Sequence, residues 1–226
     1  MSDKPTYASD TQLSASGLSA RRGGRTVFED VEFSVQAGDF LRLTGRNGAG
    51  KSTLLRLLAG LLPSAGGTLR FQKGDAAFDH LVTDDFLLAG HQNGLKTVMT
   101  LADNARFFHR LMTGEVPTPE ALTSAADAFA LAPLMDQPVQ YFSSGQRHRA
   151  ALMRYGLVQR QVWLMDEPTV GLDADNRAAL ARLIADHLAR GGIVIAATHD
   201  PIEVEGSALN MDGFAPQAVA ADEAWL

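Results

Sequence analysis

Segments with the two-residue period of strands alternate along this chain with segments of helical period. Strand-like patterns occupy residues 27–28, 31–35, 40–44, 161–165 and 193–197. The early ones alternate apolar with polar side chains, as in strands with one buried face. The last two are almost wholly apolar, which is typical of parallel strands buried on both faces.

Helical spacing marks the segments between these strands. Leu-rich residues 52–59 end at Gly60, and further helices are predicted at residues 101–112, 119–131 and about 175–189. The breaker-rich residues 113–117 separate the two middle helices. We therefore predict an α/β fold in which strands and helices alternate around one sheet, with a helical insertion between about residues 93 and 155.

The amino-acid composition limits the classes of protein to which this chain can belong. The 226 residues, 46% hydrophobic and 20% charged, suit one globular domain, or one domain carrying an inserted subdomain. A net charge of −6 argues against a broad nucleic-acid surface, so we expect no nucleic-acid partner. No apolar run reaches the ~18–20 residues that span a bilayer, and the polar start, with Asp3 and Asp10, is unlike an export signal. The absence of cysteine favours a reducing compartment, with the cytoplasmic side as the expectation.

A phosphate-binding motif follows the strand-like residues 40–44. It fits G-x-x-x-x-G-K-S/T and consists of Gly45, Arg46, Asn47, Gly48, Ala49, Gly50, Lys51, Ser52 and Thr53. In this motif backbone N–H groups wrap phosphate oxygens, the lysine meets the terminal phosphates and the serine holds Mg²⁺. An ordinary flexible loop is the alternative, but the order strand, Gly-rich loop, helix favours a nucleotide site.

Three further residues are candidates for hydrolytic chemistry. Asp166 ends an apolar strand, as do the acids that hold Mg²⁺ through its water shell in phosphate-loop nucleotidases, and Glu167 is placed to act as the base. A solvated strand end is the alternative for an isolated acid pair. His199 follows residues 193–197, at the strand end where ligands gather. The other histidines are expected at the surface or in packing roles: His80, His91, His109, His148 and His187.

Together these motifs make the chain similar to the nucleotide-binding subunits of ABC transporters, over about residues 13 to 202. The resemblance implies a Q-loop at Gln92, which senses the membrane partner and joins Ser52 and Asp166 around Mg²⁺. It also implies a D-loop at Asp173 and a switch histidine at His199. The signature loop would comprise Ser143, Ser144, Gly145 and Gln146.

Two positions depart from the family pattern. Alignment puts Arg22 where an aromatic side chain usually stacks on adenine, and a guanidinium plane can also stack on a base. Ser144 replaces a glycine in the signature loop, where the backbone approaches phosphate. We expect both changes to be compatible with ATP binding.

The resemblance also implies an organisation and an assembly. Residues 11–92 and 156–205 would form a RecA-like core with a mixed sheet, residues 93–155 a helical subdomain and residues 206–226 a short tail. Two copies would pair head to tail, each ATP lying between the phosphate loop of one copy and the signature loop of the other. A groove near residues 95–110 would receive a short helix of an integral membrane subunit.

A finer resemblance lies in residues 88–97 and 101–104, which are similar to the ATP-binding subunits of the bacterial cytochrome c maturation system, the haem exporter type. It implies an ATP hydrolase of the translocase class, peripheral to the inner membrane on its cytoplasmic face. Two alternatives remain: the ATPase of another small ABC transporter, or a soluble ABC protein that clamps nucleic acid or ribosomes. The latter usually has tandem nucleotide domains or a long coiled-coil insertion, and this chain has neither. No residue identifies a cargo.

Overall fold

The structure is a computed structural model that describes residues 7–79, 84–90 and 93–216. The strands in this part of the chain are β1 (Thr11–Arg22), β2 (Arg25–Gln36), β3 (Phe40–Thr44), β4 (Gly66–Lys73), β5 (Ala76–Phe78), β6 (Phe86–Ala89), β7 (Val162–Asp166), β8 (Ile193–Ala197) and β9 (Ser207–Asn210). The α-helices are α1 (Lys51–Leu58), α2 (Leu101–Thr113), α3 (Pro119–Asp127), α4 (Ser144–Leu152), α5 (Arg154–Leu157) and α6 (Ala174–Ala189). The α/β class is confirmed.

The strands divide between two sheets. An antiparallel sheet has the order β2-β1-β4-β5, and a parallel sheet has the order β6-β7-β8-β3-β9. The expected mixture of parallel and antiparallel strands is therefore distributed over two sheets. Since β7, β8 and β3 are neighbours, the loops that follow them leave the same edge of the parallel sheet.

The parallel sheet separates two hydrophobic layers. Along β7, Val162 and Leu164 pack with the layer that contains α1 and the antiparallel sheet. Trp163 and Met165 pack with the layer that contains α6 and the helical segment. Because side chains alternate across a strand, an almost wholly apolar sequence is what two buried faces require.

Helices α2 and α3 begin where the sequence places them, whereas α4 and α5, which follow them, were not predicted as separate helices. The hydroxyl of Thr100 caps α2, and that of Thr118 caps α3, by accepting backbone N–H bonds. The prediction of a helix to residue 131 is wrong, because α3 ends at Asp127. Ala130 then takes a left-handed conformation (φ 52°), and the N–H of Leu131 donates back to the carbonyl of Ala126.

Part of the segment assigned to a tail lies in the parallel sheet. Strand β9 pairs with β3, followed by a short 3-10 turn, Met211–Phe214, in which Met211 is fully buried. Gly206 precedes β9, and a Cβ atom there would lie 2.3 Å from the carbonyl oxygen of Phe40. The close approach of the two backbones therefore requires glycine.

Candidate nucleotide-binding site

The phosphate motif forms the turn between β3 and α1. Gly50 is the N-cap of α1 and has a left-handed backbone (φ 98°). A Cβ atom at Gly50 would lie 2.8 Å from the Phe28 ring and 3.1 Å from Val27. Strand β2 therefore packs directly against the loop, and only glycine fits at this turn. The amino end of α1, with its partial positive charge, opens from the loop.

Lys51 and His199 meet at this loop. The ammonium group of Lys51, which is buried, donates to the carbonyls of Gly45 (2.6 Å) and Arg46 (3.2 Å). Its Nζ atom also lies 3.2 Å from Nε2 of His199, and that same ring nitrogen lies 2.8 Å from Oδ1 of Asn47. Residues that are about 150 positions apart in sequence thus share one cluster.

Ser52 and Asp166 form a second pair. The Ser52 hydroxyl donates to Oδ1 of Asp166 at 2.8 Å, and Asp166 is buried. A hydroxyl oxygen beside a carboxylate is a donor set that suits a hard cation such as Mg²⁺. Across residues 7–79, 84–90 and 93–216, no group of three or more His, Cys, Asp and Glu side chains is arranged to hold a metal by itself.

Glu167 lies at the end of β7 with a strained backbone. Its φ is 53°, a left-handed value that residues with a Cβ atom rarely adopt. A hydrogen bond of 2.7 Å from its N–H to the carbonyl of Ala197 fixes this conformation against the end of β8. Oε1 lies 3.5 Å from Nε2 of His199. Strain of this kind concentrates at functional positions, where the surrounding structure overrides it.

The signature residues form the start of α4 and are bonded locally. The Ser143 hydroxyl accepts from the N–H of Gln146 (3.1 Å), and Oε1 of Gln146 accepts from the N–H of Ser143 (2.8 Å), a reciprocal capping box. A Cβ atom at Gly145 would lie 3.4 Å from the carbonyl oxygen of Gly171. No hydrogen bond among the described residues joins these residues to the phosphate loop of the same chain.

A cavity of about 250 Å³ lies between the start of α4 and the end of β7. It is lined by Asn93, Ser144, Gly145, His148, Asp166, Glu167, Val170 and Gly171. The hydroxymethyl group of Ser144 thus lies at the wall of a cavity, where it is accommodated. His148 lines the same cavity, and its Nε2 atom lies 2.9 Å from the carbonyl oxygen of Pro168.

Asp173 caps α6. Its Oδ1 atom accepts from the backbone N–H (2.9 Å) and the side-chain amide (2.7 Å) of Asn176. These hydrogen bonds lower the pKa of the Asp173 carboxyl below its ordinary value.

Arg22 lies at the exposed end of β1, paired with Arg25, and this hairpin leads into the residues that contact Gly50. Gln92 lies outside the described residues, as do His80 and His91.

The remaining described histidines have packing or surface positions, as predicted. His109 is half-buried at the surface of α2, whereas His187 on α6 is fully buried and stacks on Trp163 with ring centroids 3.6 Å apart. Its Nε2 atom lies 3.1 Å from the carbonyl of Gln161. Burial lowers the pKa of His187 to about 3, so the ring is neutral.

Asp212 is a residue at the site that the sequence analysis missed. Both carboxylate oxygens accept from the N–H of Arg46, at 3.1 and 3.2 Å. A Cβ atom at Gly45 would lie 3.2 Å from Oδ1 of Asp212 and 3.3 Å from Oδ1 of Asn210. The segment after β9 therefore supports the phosphate loop from a distance of 166 residues in sequence. No local pattern signals such a contact.

In the described part of the chain, no helix has both the length and the apolar character needed to cross a membrane.

Solved structures of other proteins share the fold. An ATP-binding protein of a putative ABC transporter from Pyrococcus furiosus superposes with a TM-score of 0.78 at 19% identity, covering 91% of this chain and all of that one. The ADP conformation of MJ1267, an ATP-binding cassette of an ABC transporter, gives a TM-score of 0.65 at 20% identity, covering 84% of this chain and 82% of that one.

Sequence comparison is more specific. Residues 28–170 match the family described as ABC transporter. A protein of Rhizobium meliloti, named cytochrome c biogenesis ATP-binding export protein CcmA, is 44% identical over 90% of this chain and 99% of its own length. The protein of that name from Rhodopseudomonas palustris strain BisB5 is 43% identical over 85% of this chain and 94% of its own. With the phosphate loop, the strand-end acids and the capped signature helix in place, this chain belongs to the ABC transporter family as an ATP-binding ATPase subunit.

Proposed function

We propose that this protein hydrolyses ATP in an ABC transporter of c-type cytochrome biogenesis, of the haem exporter type. The observation that supports hydrolysis is the convergence of Lys51, Glu167 and His199 at the ends of three adjacent parallel strands. Identity of 44% to a protein named for cytochrome c biogenesis supports the pathway. The protein would act at the cytoplasmic face of the bacterial inner membrane, held there by an integral membrane permease.

The cradle for the triphosphate would be the loop at Gly45 to Thr53. Its backbone N–H groups and the amino end of α1 would bind phosphate oxygens, with Lys51 as a point charge on the terminal phosphates. Arg22, at the tip of the β1–β2 hairpin, would stack on the adenine. Ser52 and Asp166, with Gln92, would hold Mg²⁺, which neutralises charge on the phosphates when it is bound.

Glu167 would act as the general base. Its carboxylate takes a proton from the attacking water as the water oxygen bonds to the γ-phosphorus and the bond from that phosphorus to the bridging oxygen breaks, which releases ADP. His199, 3.5 Å from the Glu167 carboxylate, would donate a hydrogen bond to the γ-phosphoryl oxygens as charge develops there.

The second half of the site would come from another copy of the chain. Ser143 and Ser144 are exposed at the start of α4 and have no bond to their own phosphate loop among the described residues. In a head-to-tail pair they would contact the γ-phosphate held by the other copy, while Asp173 would lie at the interface. ATP binding would then favour the dimer and hydrolysis would release it, which gives a two-state equilibrium set by nucleotide.

The face of α2 is the proposed contact for the membrane subunit. Phe107 and Leu111, one turn apart, are 48% and 68% exposed, whereas Phe108 and Met112 pack against the core. In each neighbouring pair, one side chain therefore packs internally and the other faces outward. An apolar stripe on a helix fits a short amphipathic helix of a partner. This face lies in the proposed helical subdomain, residues 93–155, inserted in the core of residues 11–92 and 156–205.

Glu167→Gln tests the hydrolytic assignment. The amide keeps the shape of the side chain but cannot take the proton, so we expect phosphate release to fall at least ~100-fold while MgATP accumulates a dimer in size-exclusion chromatography. Glu120→Gln, an exposed glutamate on α3, is the matched control and should retain the parent rate and a nucleotide-reversible dimer. Hydrolysis by Glu167→Gln at the parent rate would show that another group is the base.

Deletion of the gene tests the pathway. Membranes of the deletion strain should lack covalently bound haem in a haem stain after denaturing electrophoresis. Expression of the parent gene should restore the stain, and Glu167→Gln should not. Normal c-type cytochromes in the deletion strain would exclude the pathway while leaving ATP hydrolysis intact, and would favour the ATPase of another small ABC transporter.

A further inference from the structure

Two buried hydroxyls connect the segment after Glu167 to the segment that carries His199. Thr169 and Thr198 are both buried, and their Oγ1 atoms lie 2.9 Å apart. The Thr198 hydroxyl also donates to the carbonyl of Asp200 at 2.8 Å. Because a hydroxyl has one proton, Thr198 accepts from Thr169, and the direction of both hydrogen bonds is fixed.

An arginine closes the connection on the surface side. Nη2 of Arg177 lies 2.9 Å from Oδ2 of Asp200, and Nε of Arg177 donates to the carbonyl of Leu172 at 3.1 Å. Leu172 precedes Asp173, and its N–H donates to the carbonyl of Thr169 at 3.2 Å. The polar contacts therefore form a closed circuit, which we call the hydroxyl–arginine ring, through Thr169, Thr198, Asp200, Arg177 and Leu172.

The ring holds the backbone on both sides of His199. The residues before and after it, Thr198 and Asp200, are both members, whereas the imidazole itself is half exposed and has polar contacts with Lys51, Asn47 and Glu167. Glu167 lies two residues before Thr169 and is bonded to Ala197 by its own N–H. Among the described residues, no other hydrogen bond between side chains joins residues 168–173 to residues 198–200.

We propose that Thr169, Thr198 and Arg177 are positioning residues that hold His199 in register with Glu167 and Asp173. They lie outside the proposed nucleotide site and act through the geometry of His199. Small misplacements of a catalytic group cost about 10²-fold in rate, so a ring that fixes this backbone affects turnover more than nucleotide affinity. The inference rests on the proposed ATP hydrolysis.

Thr198→Val is the principal test, since valine keeps the volume and removes both hydrogen bonds. We expect kcat for ATP hydrolysis to fall about tenfold, with KM for ATP within about twofold of the parent. Thr198→Ser restores the hydroxyl and should restore most of kcat. Thr169→Val should reproduce the loss, because it removes the donor to Thr198.

Thr11→Val is the matched control for loss of folding stability. Thr11 is equally buried, and its hydroxyl accepts from the side chain of Gln161 at 2.6 Å, at the opposite edge of the sheet. It should lose a similar amount of thermal stability and keep the parent kcat. The proposal is overturned if Thr198→Val keeps the parent kcat, if Thr11→Val loses as much, or if serine fails to restore turnover.

Arg177→Met tests the exposed half of the hydroxyl–arginine ring. If Thr198→Val does not fold, this variant is the test of the positioning role. Its control is Arg106→Met, since Arg106 forms a similarly exposed ion pair with Asp103 on α2. We expect Arg177→Met to lose about threefold in kcat and Arg106→Met to keep the parent kcat. Parent turnover in both variants would contradict a positioning role for the hydroxyl–arginine ring. A parent protein without turnover would instead contradict the proposed function.

Discussion

The two edges of the parallel sheet each carry a histidine, and the two residues differ in every physical respect. At the carboxyl edge, after β8, the His199 side chain is 49% exposed and lies against Lys51, Asn47 and Glu167. At the amino edge, His187 is fully buried, stacked on Trp163 and bonded to the carbonyl of Gln161. The His199 imidazole contacts charged groups and solvent, whereas the His187 imidazole packs against an aromatic side chain.

This difference separates chemistry from packing. At the carboxyl edge, charged groups are close together and one backbone is strained, an arrangement that costs stability and belongs to the proposed phosphate site. At the amino edge, burial keeps an imidazole neutral, so it serves as a flat apolar surface with one hydrogen bond. Substitutions at the two histidines should therefore affect different observables.

The largest effect is expected for His199→Ala. Loss of one donor to developing charge typically costs about 10²–10³ in kcat, and we expect a loss of at least 100-fold. The free energy of unfolding should change by less than about 0.5 kcal/mol, because the side chain is half exposed. Steady-state phosphate release and denaturant unfolding measure the two quantities. His109→Ala, at a half-buried position of α2, should keep the parent turnover. Turnover above a tenth of the parent in His199→Ala would show that this histidine does not stabilise the developing charge.

The opposite edge should respond in stability alone. His187→Ala removes a buried ring and is expected to cost about 3 kcal/mol of unfolding free energy, with kcat unchanged at 25 °C. Gly192→Ala should cost about 1–3 kcal/mol, since its Cβ atom would lie 2.2 Å from Nε2 of His187. In the double variant the clash is gone, so the two costs should be less than additive in denaturant unfolding. Strict additivity would show that the ring and this glycine do not share the space.

Acid should weaken the amino edge. The unfolded His187 binds a proton below its ordinary pKa of 6.5, whereas the folded residue does not until pH falls to about 3. Between these values the unfolded state binds more protons, so stability falls with decreasing pH, by up to about 1.4 kcal/mol per unit. Relative to His187→Phe, the parent should lose about 2 kcal/mol between pH 7.5 and 5 in urea unfolding. Parallel curves for the two proteins would contradict a neutral His187.

The smallest effect is expected at Asp173, on the carboxyl edge but in a capping role. Asparagine caps helices as well as aspartate does, so Asp173→Asn should leave the thermal unfolding temperature unchanged. Asp173→Ala should lower that temperature by about 2–4 °C, because the N–H of Asn176 loses its acceptor. If both variants lose the same stability in thermal unfolding, the cap is not what Asp173 contributes.

The parts of the site that sequence could predict are those with a local signal. The glycines and Lys51 form a contiguous motif between β3 and α1, and Asp166 ends a run so apolar that only a doubly buried strand fits it. His199 could be placed because β8 is equally apolar. In each case a few neighbouring residues contain the information, and the parallel sheet brings its strand ends together.

Elements without such a signal were missed. Strand β9 is a short edge strand with mostly exposed side chains, so it has no buried period to detect. In β1 the register with β4 shifts between Ser16 and Ser19, which breaks the two-residue period. The contacts of Asp212 with Arg46, and of Thr169 with Thr198, join distant segments. Only the folded backbone brings those groups within hydrogen-bonding distance.

The stack of Trp163 on His187 also provides an internal optical reporter. Indole emission is sensitive to the distance and protonation of a neighbouring imidazole, and this indole belongs to the strand that ends in Asp166. The fluorophore thus lies about 10 Å along the backbone from the proposed metal-binding carboxylate, given ~3.3 Å per strand residue. In a Trp225→Phe background, where Trp163 is the one remaining indole, a displacement of β7 that accompanies nucleotide exchange would be visible in the light the protein emits, without any added label.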